Sequence, residues 1–175
     1  MHSIIGYFRG RELKLLYFIN QHYKCRVLDI IMQVFTNLGS LPVMVAVPAV
    51  LMLSDNSHYL ALGQDIAVVL IISQALVHTA KYLVYRERPF KALEDIIANR
   101  PPTSKRSFPS GHTCAAFGLA LPVSYVAPEL APLFLGMAGM VGVSRVYLGA
   151  HYPSDVLAGL GIALASFYIT VHYWI

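Results

Sequence analysis

Charged side chains are scarce in this sequence. Asp, Glu, Lys and Arg make up 13% of its 175 residues, against about a quarter in an ordinary soluble domain, which excludes a conventional water-exposed surface. Cysteine is nearly missing: Cys25 and Cys114 lie in dissimilar contexts and form no C-x-x-C pair, so neither a disulfide framework nor a zinc site is indicated. No internal repeat and no low-complexity segment is present, and a single domain is expected at this length. The N-terminal stretch lacks the uninterrupted apolar run of a cleavable signal peptide. Instead Arg9, Arg11, Glu12, Lys14, Lys24 and Arg26 interleave with Leu13, Leu15, Leu16, Tyr17 and Phe18.

Apolar residues are abundant. They are 57% of the chain, and the mean hydropathy is +0.58. Apolar stretches lie at roughly 38–53, 59–84, 113–127, 131–147 and 156–175. A helical span needs about 20 residues of low polarity, and lipid offers backbone groups no hydrogen-bond partner, so closed helices are the natural spanning form. The fold expected is therefore all-α, a polytopic membrane bundle of about five transmembrane helices. An amphipathic interfacial helix over 1–26 precedes the membrane domain over 27–175. Pro42 and Pro48 predict a kink in the first span, which could begin as early as Val27. Residues 54–58 and 128–129 are tight connections on one side. Residues 85–108, broken by Pro89, Pro101 and Pro102, form a long loop on the other.

With this threading the polar residues converge. Lys81 and Arg88 follow the second span, Pro109-Ser110-Gly111-His112 opens the third, Ser144-Arg145 closes the fourth, and His151 and Asp155 open the fifth. Antiparallel spans bring all of them to one face. Three cations, two histidines and a carboxylate suit a phosphoryl group, whose oxygens need fixed positive charge during transfer. Ser110 is a candidate N-cap, and Gly111 in the first turn lets an anion approach free N–H groups. Pro153 near a helix start places Asp155 one turn beyond His151, where a carboxylate can fix the imidazole tautomer.

At these residues the chain resembles the type 2 phosphatidic acid phosphatase superfamily. Its three blocks read here as Lys81-YLVYRE-Arg88-Pro89, Pro109-Ser110-Gly111-His112, and Ser144-Arg145-VYLGA-His151-YPS-Asp155. All eleven specified positions match in residue type and internal spacing, from a resemblance that runs from about Leu38 to the C-terminus. The resemblance implies a helical-bundle hydrolase acting on a lipid phosphate or diphosphate through a phosphohistidine. The residue matching His151 would attack phosphorus, Asp155 would support it, and His112 would protonate the leaving oxygen. Lys81, Arg88, Ser110, Gly111 and Arg145 would bind phosphoryl oxygens, with no metal or other cofactor implied. A lipid phosphotransferase would use the same intermediate. A vanadate-dependent haloperoxidase shares the site but not the apolar spans.

The expected partners are the bilayer and a membrane lipid phosphate, with no nucleic acid; nothing encodes the oligomeric state or the lipid. His78 is read as a helix–helix hydrogen-bonding residue, and Asp65 as lying toward the opposite interface. Arg86, Lys91, Arg100, Lys105 and Arg106 either attract an anionic head group or solvate the loop. Tyr168, Tyr173 and Trp174 read as an aromatic belt, and Gly136, Gly139, Gly142, Gly159 and Gly161 as points of close helix contact. Localisation is the cell membrane, on the family resemblance a bacterial inner membrane. All thirteen Lys and Arg lie on the active-site side, which by the positive-inside rule is cytoplasmic, whereas the resemblance favours the outer face.

Overall fold

The computed structural model describes residues 2–98 and 104–174, with residues 2–9 described as backbone only. Its elements are α1 (His2–Tyr17), running into a π-helical turn Phe18–His22, then α2 (Arg26–Leu38), α3 (Leu41–Met52) and α4 (Ser57–Leu83). They continue with the short α5 (Pro89–Ala92), α6 (Gly111–Val126), a 3-10 turn Pro128–Leu130, α7 (Ala131–Tyr147) and α8 (Pro153–Tyr173). Arg100, Pro101 and Pro102 lie outside the described residues.

The bundle is built around α6, which packs against α4, α7 and α8. Its sequence explains the position: Thr113, Cys114, Ala115, Ala116, Gly118 and Ala120 are all buried, and such small residues let neighbouring backbones approach closely. At 16 residues α6 is only about 24 Å long, short of the ~30 Å hydrocarbon thickness. Three helical segments, Ser57–Leu83, Pro128–Tyr147 and Pro153–Tyr173, are long and apolar enough to cross a bilayer. The pair α2–α3 makes a fourth if counted as one bent span. α6 adds a fifth apolar helix to the bundle, short of spanning length by itself. Outward-facing Val27, Ile30 and Val34 on α2 and Ile71 on α4 are more than half exposed. Such an apolar exterior is what lipid solvates and water does not.

The kink of the first span is not at a proline inside a helix. α2 and α3 meet at 50° across Gly39 and Ser40, and Pro42 sits in the first turn of α3, where it costs no hydrogen bond. Gly39 is needed there because a Cβ would lie 2.4 Å from the His112 carbonyl oxygen. The close-contact glycines divide similarly. A Cβ on Gly142 would meet Val156 at 2.8 Å, and one on Gly159 would meet the Ser110 carbonyl at 2.5 Å, whereas Gly136, Gly139 and Gly161 face open space.

The N-terminal segment is helical, and it packs on the bundle. Leu16 is wholly buried in a cluster with Ile96, Val146 and Tyr152. The buried Asn20 side chain donates to the carbonyls of Ile97 at 2.9 Å and Tyr147 at 2.7 Å and accepts from the Ile97 amide at 3.0 Å. These bonds tie α1 to the long loop and to the end of α7. That loop is not structureless either: α5 interrupts it, Glu87 bridges Arg106, and the Ser107 amide donates to the Arg86 carbonyl.

Candidate active site

Every motif residue lies at one end of the bundle, where α4 ends, α6 and α8 begin, and α7 ends. The two helix starts are joined directly, the Ser110 amide donating to the Asp155 carbonyl at 2.9 Å. Ser110 is the N-cap of α6, its hydroxyl accepting from the Thr113 amide at 3.4 Å and meeting Thr113 Oγ1 at 2.9 Å. That leaves the amides of Gly111 and His112 at the helix start without an intrahelical acceptor. A Cβ on Gly111 would stand 3.9 Å from Lys81 Nζ, which puts that cation beside the helix start.

Asp155 is fully buried and its carboxylate is crowded with donors. Oδ2 accepts from the Tyr152 amide at 2.9 Å, capping α8, and from the Ser107 hydroxyl. The same oxygen stands 3.4 Å from His151 Nδ1, an ion-pair separation longer than a hydrogen bond. On its other side His151 Nε2 lies 3.0 Å from Arg88 Nη1. A guanidinium can only donate, so Nε2 must accept, which leaves the proton on Nδ1, facing Asp155. Arg88 is held by the carbonyls of Ala150 at 2.8 Å and Ser104 at 2.7 Å. Burial pushes the His151 imidazole down to about 3, opposed by Asp155 and reinforced by Arg145 and Arg88. The imidazole is therefore neutral.

Arg145 is 6% exposed; its Nη1 donates to Thr36 Oγ1 on α2 at 2.6 Å, while its Nε is buried without a partner. Cationic donors held in place by one anchor with another donor unspent suit an anionic ligand. Among the described residues no group of three or more His, Cys, Asp or Glu could hold a metal ion.

Several side chains outside the motif blocks also belong to this end of the molecule. Arg86, one of the loop cations, bonds Asp155 Oδ1 at 2.8 Å and Glu12 Oε2 at 2.8 Å, so it neither solvates the loop nor waits for a head group. Arg106 donates to the Lys81 carbonyl, and Lys105 is exposed. Thr36, Ser107 and Glu12 carry no local signature; only Arg86, inside the first block, sits where sequence could point to it. His78 is exposed on the outer side of α4 rather than bonded between helices. Asp65 lies beside Trp174, at the end of α8 remote from His151.

Fold and side chains together define a class: a polytopic helical membrane protein holding a neutral histidine, backed by a carboxylate, among cations at one end of its bundle. The chain belongs to the PAP2 superfamily, whose family model matches residues 63–175. That match starts at Gly63, later than the Leu38 expected from the motifs. An undecaprenyl-diphosphatase of Sulfolobus acidocaldarius is 28% identical over 152 residues, covering 86% of this chain and 72% of that protein. A lipid A 1-phosphatase of Rhizobium etli is 43% identical over 54 residues, but the match spans only 23% of its length. Among solved structures, LpxE of Aquifex aeolicus superposes with a TM-score of 0.83 at 28% identity, covering 92% of this chain and 94% of that one. A Bacillus subtilis PAP2-type phosphatidylglycerolphosphate phosphatase, at 24% identity, covers 95% of this chain and 85% of its own with a TM-score of 0.75, and shares the fold.

Proposed function

We propose that this protein is an integral-membrane phosphatase that hydrolyses a lipid phosphate or diphosphate through a phosphohistidine on His151. The observation that carries the reading is the single orientation of the imidazole, with its Nε2 lone pair toward Arg88 and its Nδ1 proton toward Asp155. Phosphoryl oxygens entering the cluster take the guanidinium of Arg88 away from Nε2 and are held by Lys81, Arg145 and the amides at the Ser110-Gly111 helix start. Nε2 then attacks phosphorus, and His112, which takes up a second proton beside the bound phosphate anion, gives that proton to the departing lipid oxygen. Asp155 stabilises the positive charge that forms on the ring. Water, losing a proton to His112, attacks the phosphohistidine, releases phosphate and returns Nε2 to its neutral state.

The relatives named above act on an undecaprenyl diphosphate, on lipid A and on phosphatidylglycerol phosphate by their names, and those lipids, with phosphatidate, are the substrates proposed for test. Purified protein in detergent should release phosphate from at least one of the four, and should still do so with chelator present, because Lys81, Arg88 and Arg145 carry the positive charge. No release from any, or release only with an added divalent cation, would reject the reading. The site is proposed to face the cytoplasm of the cell that makes it. Apart from Lys81, Arg88 and Arg145, ten Lys and Arg lie in the N-terminal segment and the long loop, and the opposite connections carry none.

A further inference from the structure

Arg86 lies between two carboxylates. Its Nη1 bonds Asp155 Oδ1 at 2.8 Å, its Nη2 bonds Glu12 Oε2 at 2.8 Å, and its guanidinium stacks 3.8 Å over the Tyr152 ring. Nη1 also reaches Ser154 Oγ at 2.7 Å. Glu12 closes the ring of contacts by accepting from the Ser154 amide at 3.0 Å and from its hydroxyl. We propose that Arg86 and Glu12 are positioning residues of the active site, which clamp Asp155 against His151 and make α1 part of the catalytic apparatus.

The geometry gives each residue a separate task. Asp155 Oδ2 accepts from the Tyr152 amide and the Ser107 hydroxyl and faces His151 Nδ1 at 3.4 Å; Arg86 holds Oδ1 and so stops the carboxylate from rotating. An arginine paired with Asp155 alone would spend the negative charge that His151 needs when it becomes cationic. Glu12 cancels the charge of Arg86, so the Glu12–Arg86–Asp155 unit keeps a net charge of minus one, the same as Asp155 by itself. Side-chain exposure is 15% at Glu12 and 28% at Arg86 but 0% at Asp155, so screening by water is weakest where the charge acts.

This inference rests on the phosphatase reading, and the experiment separates the two. Phosphate release by the full chain in detergent is measured for wild type, Arg86→Met, Arg86→Lys, Glu12→Gln and the double variant. Arg86→Met should lower kcat about 10–100-fold, as loss of an orienting partner does elsewhere, with KM little changed and Arg86→Lys recovering part of the rate. The double variant should be no worse than Arg86→Met, since Glu12 acts largely through Arg86. The acidic limb of kcat/KM, which reports protonation of His151, should shift in opposite directions. Arg86→Met removes a cation and moves it to higher pH; Glu12→Gln leaves that cation uncompensated and moves it to lower pH. Asp155, Arg145, Arg88 and His112, the other charged or titratable groups facing His151, are the same in all variants. Should Arg86→Met not fold, the near-isosteric Glu12→Gln gives the limb shift by itself. Wild-type kcat in Arg86→Met, a loss confined to KM, or limbs moving the same way would overturn the inference while leaving the phosphatase reading intact. A wild type that releases no phosphate would remove both.

Discussion

The ring of His151 has one nitrogen against a guanidinium and the other against a carboxylate, and two predictions follow from that setting. Between about 6.5, its ordinary unfolded value, and about 3, its folded value, the unfolded chain binds a proton that the folded chain does not. Stability therefore falls as pH is lowered through this window. The apparent Tm in detergent should drop between neutral pH and about pH 4.5, and His151→Asn should drop less. Equal slopes would show that other groups dominate. His112 is the proposed proton donor, so its loss should depend on the leaving group. His112→Asn should slow release from a lipid monoester far more than from an aryl phosphate, whose phenolate leaves without help; equal slowing on both would mean that His112 only binds phosphate. At this scale the sequence carried the motif residues but not their partners. All eight proposed site residues were legible because each stands at a fixed short spacing from another. Thr36, Ser107 and Glu12 were not, since their bonds to Arg145 and Asp155 and to Ser154 span 109, 48 and 142 residues.

Helices α6 and α8 hold the site through their starts, and Gly159 sets how near they come. A Cβ there would lie 2.5 Å from the Ser110 carbonyl and 3.3 Å from the Cys114 amide, so Gly159→Ala must push α8 away from the start of α6. The expected cost is about 1–3 kcal/mol of stability, with activity falling more steeply because Ser110 and His151 separate. Gly161, two residues along the same helix, meets nothing within 4 Å; Gly161→Ala should be neutral or gain about 0.5–1 kcal/mol. Thermal unfolding of both variants in detergent checks the pair, and similar behaviour would refute the packing argument. In the sequence these glycines look alike. Helix phase relative to a neighbour decides which one meets a backbone, and hydropathy carries no such phase. The bend between α2 and α3 shows the same thing: Pro48 is the obvious suspect in the sequence, yet the break falls at Gly39, where the backbone must pass the His112 carbonyl.

For the whole molecule, the two cysteines provide the measurement of which way it sits in the membrane. Cys25 is exposed and its backbone lies 3.4 Å from the Tyr147 hydroxyl, at the end of the bundle that carries Arg145 and His151, while Cys114 is buried in α6. With a cytoplasmic site, a membrane-impermeant maleimide should leave intact cells unlabelled and react at Cys25 once the membrane is opened. Labelling of intact cells would place the site outside. The membrane class, the all-helical bundle and the phosphoryl chemistry were determined by the sequence alone. Apolar stretches of spanning length admit only helices, and motif residues at fixed local spacings are brought to one face by any antiparallel threading. Tertiary structure alone decided how the N-terminal helix is used. An alternation of Arg, Glu and Leu is equally compatible with lying on a lipid surface or packing on protein. Only the folded chain brings Glu12 to Arg86 and buries Leu16 beside Tyr152, because contacts between residues far apart in the chain are set by the joint packing of all the helices and leave no local periodicity to read.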